Sequence, residues 1–545
     1  MCIRDSNVSP DEEFLKELDY IDFIIHGEGE EAFLELLLEL LKSEPDFNNV
    51  SNISFRNSNG GFTNTPVKIL TRTDYPSPYL TGVFDDIIKE NPDLQLDAIL
   101  ETSRGCPRNC AYCDWGCNNS KIRLFPIERV FAEIEWFGKN KIAYLWGADS
   151  NFGAYARDEE ITDYIVKIHE KYGYPERIQI NYAKDNRDLV FKISQKLEKY
   201  KLSKLGSTLS FQSLNPDTLE AIGRKNMSLD KFKDLIAMYK SAGVTTYSEL
   251  ILGLPLETYD SFCKGIGMLL EAGQHERINT YNCVVLPNSP MGAKDYLEKY
   301  GIKTAEIPFF ATHRLETEIQ EKTNYVIGSD TMTTDEWIAS NIFACFIRAF
   351  HNYGILQKLS IYFHYEKNIA YEDFYNSVIN WYRNSDNENI KRAYNYLYTF
   401  YKNFALAQPM ELYSNEAVYG KITWSPEYVP HMDTVYWLED FYNEIKPLLA
   451  TFETDDTKLT ELIEYQNCII KRPLHNNFIR DFTYGWHEYF EKITAGEYTP
   501  LKKYFNRISV NNKKTLENWQ DYALKDVWFG KDGGTFNLGI TNEML

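Results

Sequence analysis

The chain has 545 residues, 43% of them hydrophobic and 25% charged, with a formal net charge of −21. At roughly 150 residues per domain this implies two to four domains of an ordinary globular protein, large enough to keep a core without disulfides. The acidic balance argues against nucleic acid as a partner, and no apolar run reaches the ~18 residues of a membrane-spanning helix.

The first residues, "MCIRDSN", show no apolar period and no signal-peptide logic. "LDYIDFIIHGEGEEAFLELLLELLK" then reads as a buried strand from Ile21 to Ile25, a Gly turn and an amphipathic helix. A lone strand and helix cannot bury both faces, so this piece is expected to be the tail end of a larger domain. "GEGEEA" matches a loose dinucleotide fingerprint. No second strand ending in an acidic residue follows at the required distance, so a tight strand-to-helix turn is favoured. Residues 50–75 read as a hairpin around Asn-Gly-Gly, and "DYPSPYLTG" as an extended connector.

From 97 to 290 the pattern becomes regular. Candidate strands are "LDAILETS" (96–103), "KIAYLWGAD" (141–149), "RIQINYA" (177–183), "GSTLSFQS" (206–213), "VTTYSELILG" (244–253) and "RINTYNCVVL" (277–286), with helical segments between them. Asn215-Pro216 and Ser228 are the expected caps of two of these helices, and Gly243 the stop of the second. Six β–α repeats imply parallel strands. Polar motifs at the strand C-termini favour an α/β fold of the partial (β/α)6 TIM-like barrel type over an open sheet.

Beyond about 300 the sequence turns mostly helical. "TTDEWIASNIFACFIRAFHNYG" opens with a capping box from Thr333 to Glu336, and "YEDFYNSVINWYRN" and "RAYNYLYTFYKNF" carry aromatics at helical spacing. Such a stripe is read as core rather than as a ligand pocket.

Four of the nine cysteines fall in "ETSRGCPRNCAYCDWGC", spaced Cys106-x3-Cys110-x2-Cys113-x3-Cys117. The rest (Cys2, Cys263, Cys283, Cys345 and Cys468) are scattered, which fits a reducing, cytoplasmic compartment with one metal site. Structural zinc wants two close pairs separated by a longer loop, and a ferredoxin run has different spacing followed by proline. C-x3-C-x2-C instead leaves a cube held by three thiolates with one iron open, at the end of the first strand. Cys117 is then left out of the ligand set, because a fourth thiolate would close the open position.

"CPRNCAYC" resembles the signature of the radical S-adenosylmethionine (SAM) superfamily, C-x3-C-x-Φ-C with Φ aromatic. The resemblance runs over residues of about 95–290 and implies a [4Fe–4S] cluster on Cys106, Cys110 and Cys113. It implies that SAM chelates the open iron and is cleaved by one electron to a 5′-deoxyadenosyl radical. Tyr112 is then the aromatic beside the open iron. "WGADSNFG" stands where the family usually has Gly-Gly-Glu, so the contact to the SAM amine passes to Asp149 and Asn151. "LSFQSLNPDTLEAIGRKN" matches the strand-4 pattern, which assigns Gln212 to the ribose and Arg224 to the SAM carboxylate. "ELILGLPLET" assigns Glu249 to the ribose hydroxyls, and "VVLPNSPM" puts Leu286 and Pro287 near the adenine.

The opening segment and "SRGCPRNCAYCDWG" are similar to the branch of that superfamily in which a cobalamin-binding domain precedes the radical SAM core, many of whose members are methyltransferases. A full domain of that kind needs on the order of 130 residues. The expected organisation is therefore 1–45, the end of a cobalamin-binding domain; 46–92, hairpin and linker; 93–295, radical SAM core; and 296–545, a helical domain. Cobalamin as a cofactor stays an open question, and His26, on the last strand of that piece, is not assigned as a cobalt ligand. The expected partners are a small-molecule or peptide substrate and a reductant such as flavodoxin or ferredoxin, with no nucleic acid and no membrane. The competing reading is a non-catalytic iron–sulfur or zinc module of a larger assembly.

Overall fold

The computed structural model describes residues 15–16, 18–115, 121–184, 186–203, 206–308, 322–473, 478–511, 517–528 and 539–544. Cys2, Cys117 and the opening "MCIRDSN" lie outside them. The fold is mixed α/β, with helices and several sheets. The chain divides into two compact units, Met1–Ser203 with Glu220–Arg224 and Val284–Gly301, and Lys204–Leu219 with Lys225–Cys283 and Ile302–Leu545.

In the first unit, β1 (Phe23–Ile25) leads into α1 (Gly29–Leu40) through Gly27, whose φ of +73° is cheap only for glycine. The strand expected to stand alone does not. It pairs antiparallel with β2 (Ile53–Arg56), and β2 pairs with β3 (Phe62–Asn64) across the Asn-Gly-Gly turn. Ala32 and Leu36 of α1 pack with Val50, Ile53 and Phe55, so the hairpin supplies the burial that a single strand and helix lack.

The first parallel sheet has the order β4 (Asp97–Leu100), β7 (Tyr144–Gly147), β8 (Arg177–Gln179). Between its first two strands, β5 (Ser103–Arg104) pairs antiparallel with β6 (Arg123–Leu124) and draws together the two ends of the cysteine loop. The outer edge of β4 is met by the connector. The Tyr79 hydroxyl donates to the Ile99 carbonyl at 2.8 Å and accepts from the Ile99 N–H at 3.1 Å, occupying edge groups that would otherwise be open to another strand. Helices α2 (Ile127–Lys139), α3 (Arg157–Tyr172) and α4 (Arg187–Lys199) bury Val130, Ile134, Ile161, Ile165, Ile193 and Leu197 in one cluster with Leu145 of β7. Each such side chain contributes roughly 1.5–3 kcal/mol.

In the second unit, β9 (Ser207–Gln212), β10 (Thr246–Leu252) and β11 (Ile278–Asn282) form a second all-parallel sheet with β10 central. All six strands thus fall where the sequence pattern puts them. Helix α5 (Pro216–Ala221) starts at Asn215, whose side chain accepts from the Asp217 N–H. Helix α6 (Leu229–Ser241) is capped by Ser228 and buries Phe232, Leu235, Ile236 and Tyr239, and Gly243 follows at a φ of +69°. Phe232 meets Phe211 of β9 edge-on at 4.7 Å. Helix α7 (Tyr259–Glu271) begins with a Thr258–Ser261 capping box.

Beyond β11, an antiparallel pair, β12 (Lys303–Pro308) and β13 (Lys322–Gly328), leads into α8 (Thr334–Phe346), with the Thr333–Glu336 capping box in place. A π-helical turn, Ile347–Asn352, continues α8. The aromatic helices Tyr371–Asn384 and Glu388–Ala405 form as expected, and Phe374, Tyr375, Tyr382 and Phe404 are buried. The region also holds strands that the helical reading passes over: the short pair β14 (Tyr413–Ser414) and β15 (Thr423–Trp424), and a three-stranded antiparallel sheet of β16 (Phe478–Tyr484), β17 (Lys503–Asn511) and β18 (Gly539–Met544).

Candidate active site

The three thiols share one loop of the first unit. Cys106 and Cys110 are buried, Cys113 is half-buried, and all three are free of disulfides. The Cys113 N–H bonds the Cys110 carbonyl at 3.0 Å in a tight turn. Burial pushes the Cys113 thiol up, and the neighbouring Cys110 and Cys106 push it the same way, so the three groups lie in one another's field. Among the described residues no three His, Cys, Asp or Glu side chains are already drawn to metal-holding distance. What the chain offers is three adjacent thiols on a fixed loop. This donor set suits an iron–sulfur cluster, since thiolates are its usual ligands.

Several segments fix that loop. The Ala111 N–H bonds the Ile222 carbonyl at 3.0 Å, and the Met291 N–H bonds the Ala111 carbonyl at 2.9 Å. Ser150 Oγ donates to the Gly105 carbonyl at 2.6 Å, and Asn151 Nδ2 donates to Cys106 Sγ at 3.3 Å. At the neck, Arg104 and Arg123, from the two paired strands, both donate to the buried carboxylate of Glu28. Arg104 also takes Glu30 at 2.6 Å and Glu101 at 2.7 Å. The "GEGEE" stretch, read from sequence as a turn, therefore also clamps the cysteine loop.

Asp149, expected at the SAM amine, is bonded within the protein. It is 2% exposed, and its carboxylate accepts from the N–H groups of Thr102 and Ser103 and from both of their hydroxyls. Both oxygens accept from the segment between β4 and the cysteines. Burial raises its pKa to about 6 against the opposing pull of those four bonds.

Tyr112 and Arg224 come together: Arg224 is buried, and its Nη1 donates to the Tyr112 hydroxyl at 3.2 Å. Burial, followed by the charges of Arg224 and Arg108, holds the Lys184 ammonium down at about 8, with Cys110 and Cys106 pulling the other way. Lys184 belongs to this cationic group, and the sequence reading missed it. Its signal was a lone Lys a few residues past the third strand. Leu286 and Pro287 are half-buried in the turn that leads to Met291, and the Leu286 carbonyl accepts from the Ser289 N–H at 2.9 Å. A Cβ on Gly292 would stand 2.5 Å from that carbonyl, so the turn requires glycine there.

The structure thus collects Cys106, Cys110, Cys113, Tyr112, Asn151, Arg224, Leu286 and Pro287 in the first unit. Gln212 and Glu249 belong to the second. Gln212 ends β9 with a φ of +66°, where the β9–β10 register slips between Glu249 and Leu250. A non-glycine residue in that region costs energy, and such strained positions occur at functional sites as well as in turns. Glu249 accepts from Ser210 Oγ at 2.6 Å. Glu257, a buried carboxylate that the sequence reading left without a role, takes the hydroxyls of Ser213 and Ser261 and ties the end of β9 to the start of α7. His26 Nε2 and Ser54 Oγ share a hydrogen bond at 2.6 Å.

Residues 100–269 match the family model of the radical SAM superfamily. Over 514 residues, 89% of this chain and 74% of the relative, the chain is 34% identical to the 2-(S-pantetheinyl)-carbapenam-3-carboxylate methyltransferase of Streptantibioticus cattleyicolor. Over 506 residues, 88% of this chain and 73% of the relative, it is 33% identical to the cobalamin-dependent radical SAM methyltransferase TokK of Streptomyces tokunonensis. The chain belongs to the cobalamin-dependent branch of the radical SAM superfamily. Among solved structures, the cobalamin-dependent radical SAM enzyme OxsB superposes with a TM-score of 0.45 at 13% identity, covering 86% of this chain and 70% of its own.

As a radical SAM enzyme the chain uses a [4Fe–4S] cluster and SAM. The reading as a non-catalytic metal module is thereby set aside. Among the described residues, no helix of this radical SAM enzyme is long and apolar enough to cross a membrane.

Proposed function

We propose that this chain methylates a carbon of a small molecule of the carbapenam carboxylate class. One observation carries the reading: identity above 30% to two methyltransferases, one of them named for a carbapenam carboxylate and the other for cobalamin-dependent radical SAM chemistry, extends over nearly nine-tenths of the chain, including the region beyond the radical SAM model. In this reading Cys106, Cys110 and Cys113 hold the cluster, which when bound supplies the electron that cleaves SAM, and cobalamin supplies the methyl group.

The chain's own residues then have distinct tasks. Arg224, steadied by Tyr112, faces the SAM carboxylate, where a guanidinium fork suits a planar anion. Gln212 and Glu249 take the ribose, and Leu286 and Pro287 shelter the adenine. Asn151 donates to a cluster thiolate rather than to SAM. Asp149 positions the loop and touches no ligand. The fold class that goes with this reading is the partial (β/α)6 TIM-like barrel. Its support is the sequential, all-parallel order of strands in each sheet. The domain reading of a radical SAM core over 93–295 followed by a C-terminal substrate-facing region goes with it. The electron comes from a flavodoxin- or ferredoxin-type donor in the cytoplasm.

The test is anaerobic reconstitution with iron, sulfide and cobalamin, followed by reduction with SAM and a carbapenam carboxylate. Success gives about four irons per chain, 5′-deoxyadenosine and a product heavier by one methylene. Iron and 5′-deoxyadenosine without a methylated product would sink the substrate class and leave the radical chemistry standing.

A further inference from the structure

One face of the second parallel sheet carries polar side chains that the SAM contacts do not use. Alternation along β11 sets Asn279 and Tyr281 on the same face. Asn279 lies level with Glu249 in the register, and Glu249 level with Ser210. Glu249 is already engaged by the Ser210 hydroxyl.

Arg348 reaches this face from the π-helical turn that continues α8. Such turns are rare, and they re-aim the side chains they carry. Its Nη1 donates to Asn279 Oδ1 at 2.7 Å, and its Nη2 donates to the Tyr428 hydroxyl at 3.2 Å. The guanidinium carbon stands 5.2 Å from the ring centre of Tyr428 and 5.7 Å from that of Tyr353. Its Nε is buried and takes no hydrogen bond.

A guanidinium withdrawn from bulk water is expected to have an anion beside it. Among the described residues no carboxylate forms an ion pair with Arg348. Glu427 contributes only through space, and its Oε1 accepts from Ser425 Oγ at 3.1 Å. The position is also not a sealed core. Arg348 keeps intermediate exposure, and Tyr281 is 51% exposed although burial pushes its hydroxyl well above the usual range. A cation on two aromatic platforms, held by neutral partners and keeping partial exposure, is chemically suited to a planar anion.

We propose that Arg348, on the polar face of β11 that carries Asn279 and Tyr281, anchors a carboxylate of the substrate. The idea deepens the functional reading above and rests on it for the substrate being a small carboxylate. Arg348 holds the ligand and takes no part in bond making.

The experiment compares a carbapenam-3-carboxylate with its neutral 3-carboxamide, by calorimetric titration of the full chain as wild type, R348K and R348Q. Wild type should bind the acid at least about 10-fold more tightly than the amide, as expected for one charge-assisted contact. R348Q should bring the ratio to about one with amide affinity unchanged, and R348K should keep part of it. An unchanged ratio in R348Q overturns the proposal. A second measurement does not depend on the variants folding or on the carbapenam binding. Phenylglyoxal modification of Arg348 in the wild type is followed by peptide mass spectrometry, with cyclopentanecarboxylate or its amide present at tens of millimolar. Protection by the acid alone upholds the anchor even if the carbapenam itself fails to bind. Equal modification with acid and amide overturns it.

Discussion

The ends of the two parallel sheets are used differently. After β7 of the first sheet, the strand-end carboxylate Asp149 turns inward and is consumed by Thr102 and Ser103, and Asn151 follows it toward Cys106. In the second sheet, Glu249 keeps one hydroxyl partner and stays half-exposed. Gln212 sits in a strained backbone, and its side chain has no hydrogen bond among the described residues. The first sheet spends its strand-end acid on building a loop, while Glu249 and Gln212 of the second are the groups proposed above for the ribose. A strand-end acid is thus no guide to ligand contact until its own hydrogen bonds are counted.

Substitutions can break this contrast. The largest effect is expected at the cysteines: Cys110→Ala should abolish iron binding and 5′-deoxyadenosine formation, whereas Cys117→Ala should keep iron near the wild-type level. Iron analysis and electron paramagnetic resonance read both, and equal losses would restore the four-ligand site. Next comes Asp149→Ala, which strands buried N–H and O–H donors and should cost about 2–3 kcal/mol in denaturant unfolding. It should also slow cluster loading without changing SAM affinity in the loaded protein. A loss of SAM affinity alone would return Asp149 to the ligand.

Asp149 also predicts a pH signature. Its folded pKa, about 6, lies above the ordinary 3.8. Between those values the folded state binds more protons than the unfolded, so this group's contribution to stability falls as pH rises from about 4 to about 6. Asp149→Asn should flatten that part of the stability–pH curve, and an unaltered slope would show that another group is responsible.

A smaller effect belongs to the second sheet. Glu249→Gln should weaken SAM binding about 10-fold, the worth of one hydrogen bond to a charged group, with iron content and melting temperature unchanged. A loss of stability instead would make Glu249 a scaffold group like Asp149. Smallest is Tyr79→Phe, which removes the hydroxyl from the edge of β4. It should cost about 1 kcal/mol in equilibrium unfolding and leave ligand binding alone.

Much of this was legible from local pattern. The six strands, the caps at Ser228 and Thr333 and the cysteine spacing all rest on short-range rules, and each appears in the structure. What stayed hidden depends on partners distant in sequence. The pairing of β1 with β2 joins segments about 30 residues apart, so the strand looked as if it had no sheet. Strand β17 alternates in burial, but it follows long aromatic helices whose period dominates the pattern. Nothing in "GADSN" says that its acid folds back on Thr102. Arg348 lies inside "FACFIRAFHNYG", where a single cation in an apolar helix reads as surface. Its position depends on a π turn that no residue type announces.

The backbone of Gln212 sets stability against binding at one position. A left-handed conformation costs a side-chain-bearing residue about 1–2 kcal/mol that glycine does not incur. Selection for a sturdier protein would therefore favour Gly at 212, and selection for a gripped nucleoside would favour Gln. On the role proposed for Gln212 at the ribose, the strain at this position is the stability that the fold gives up to keep that amide in place.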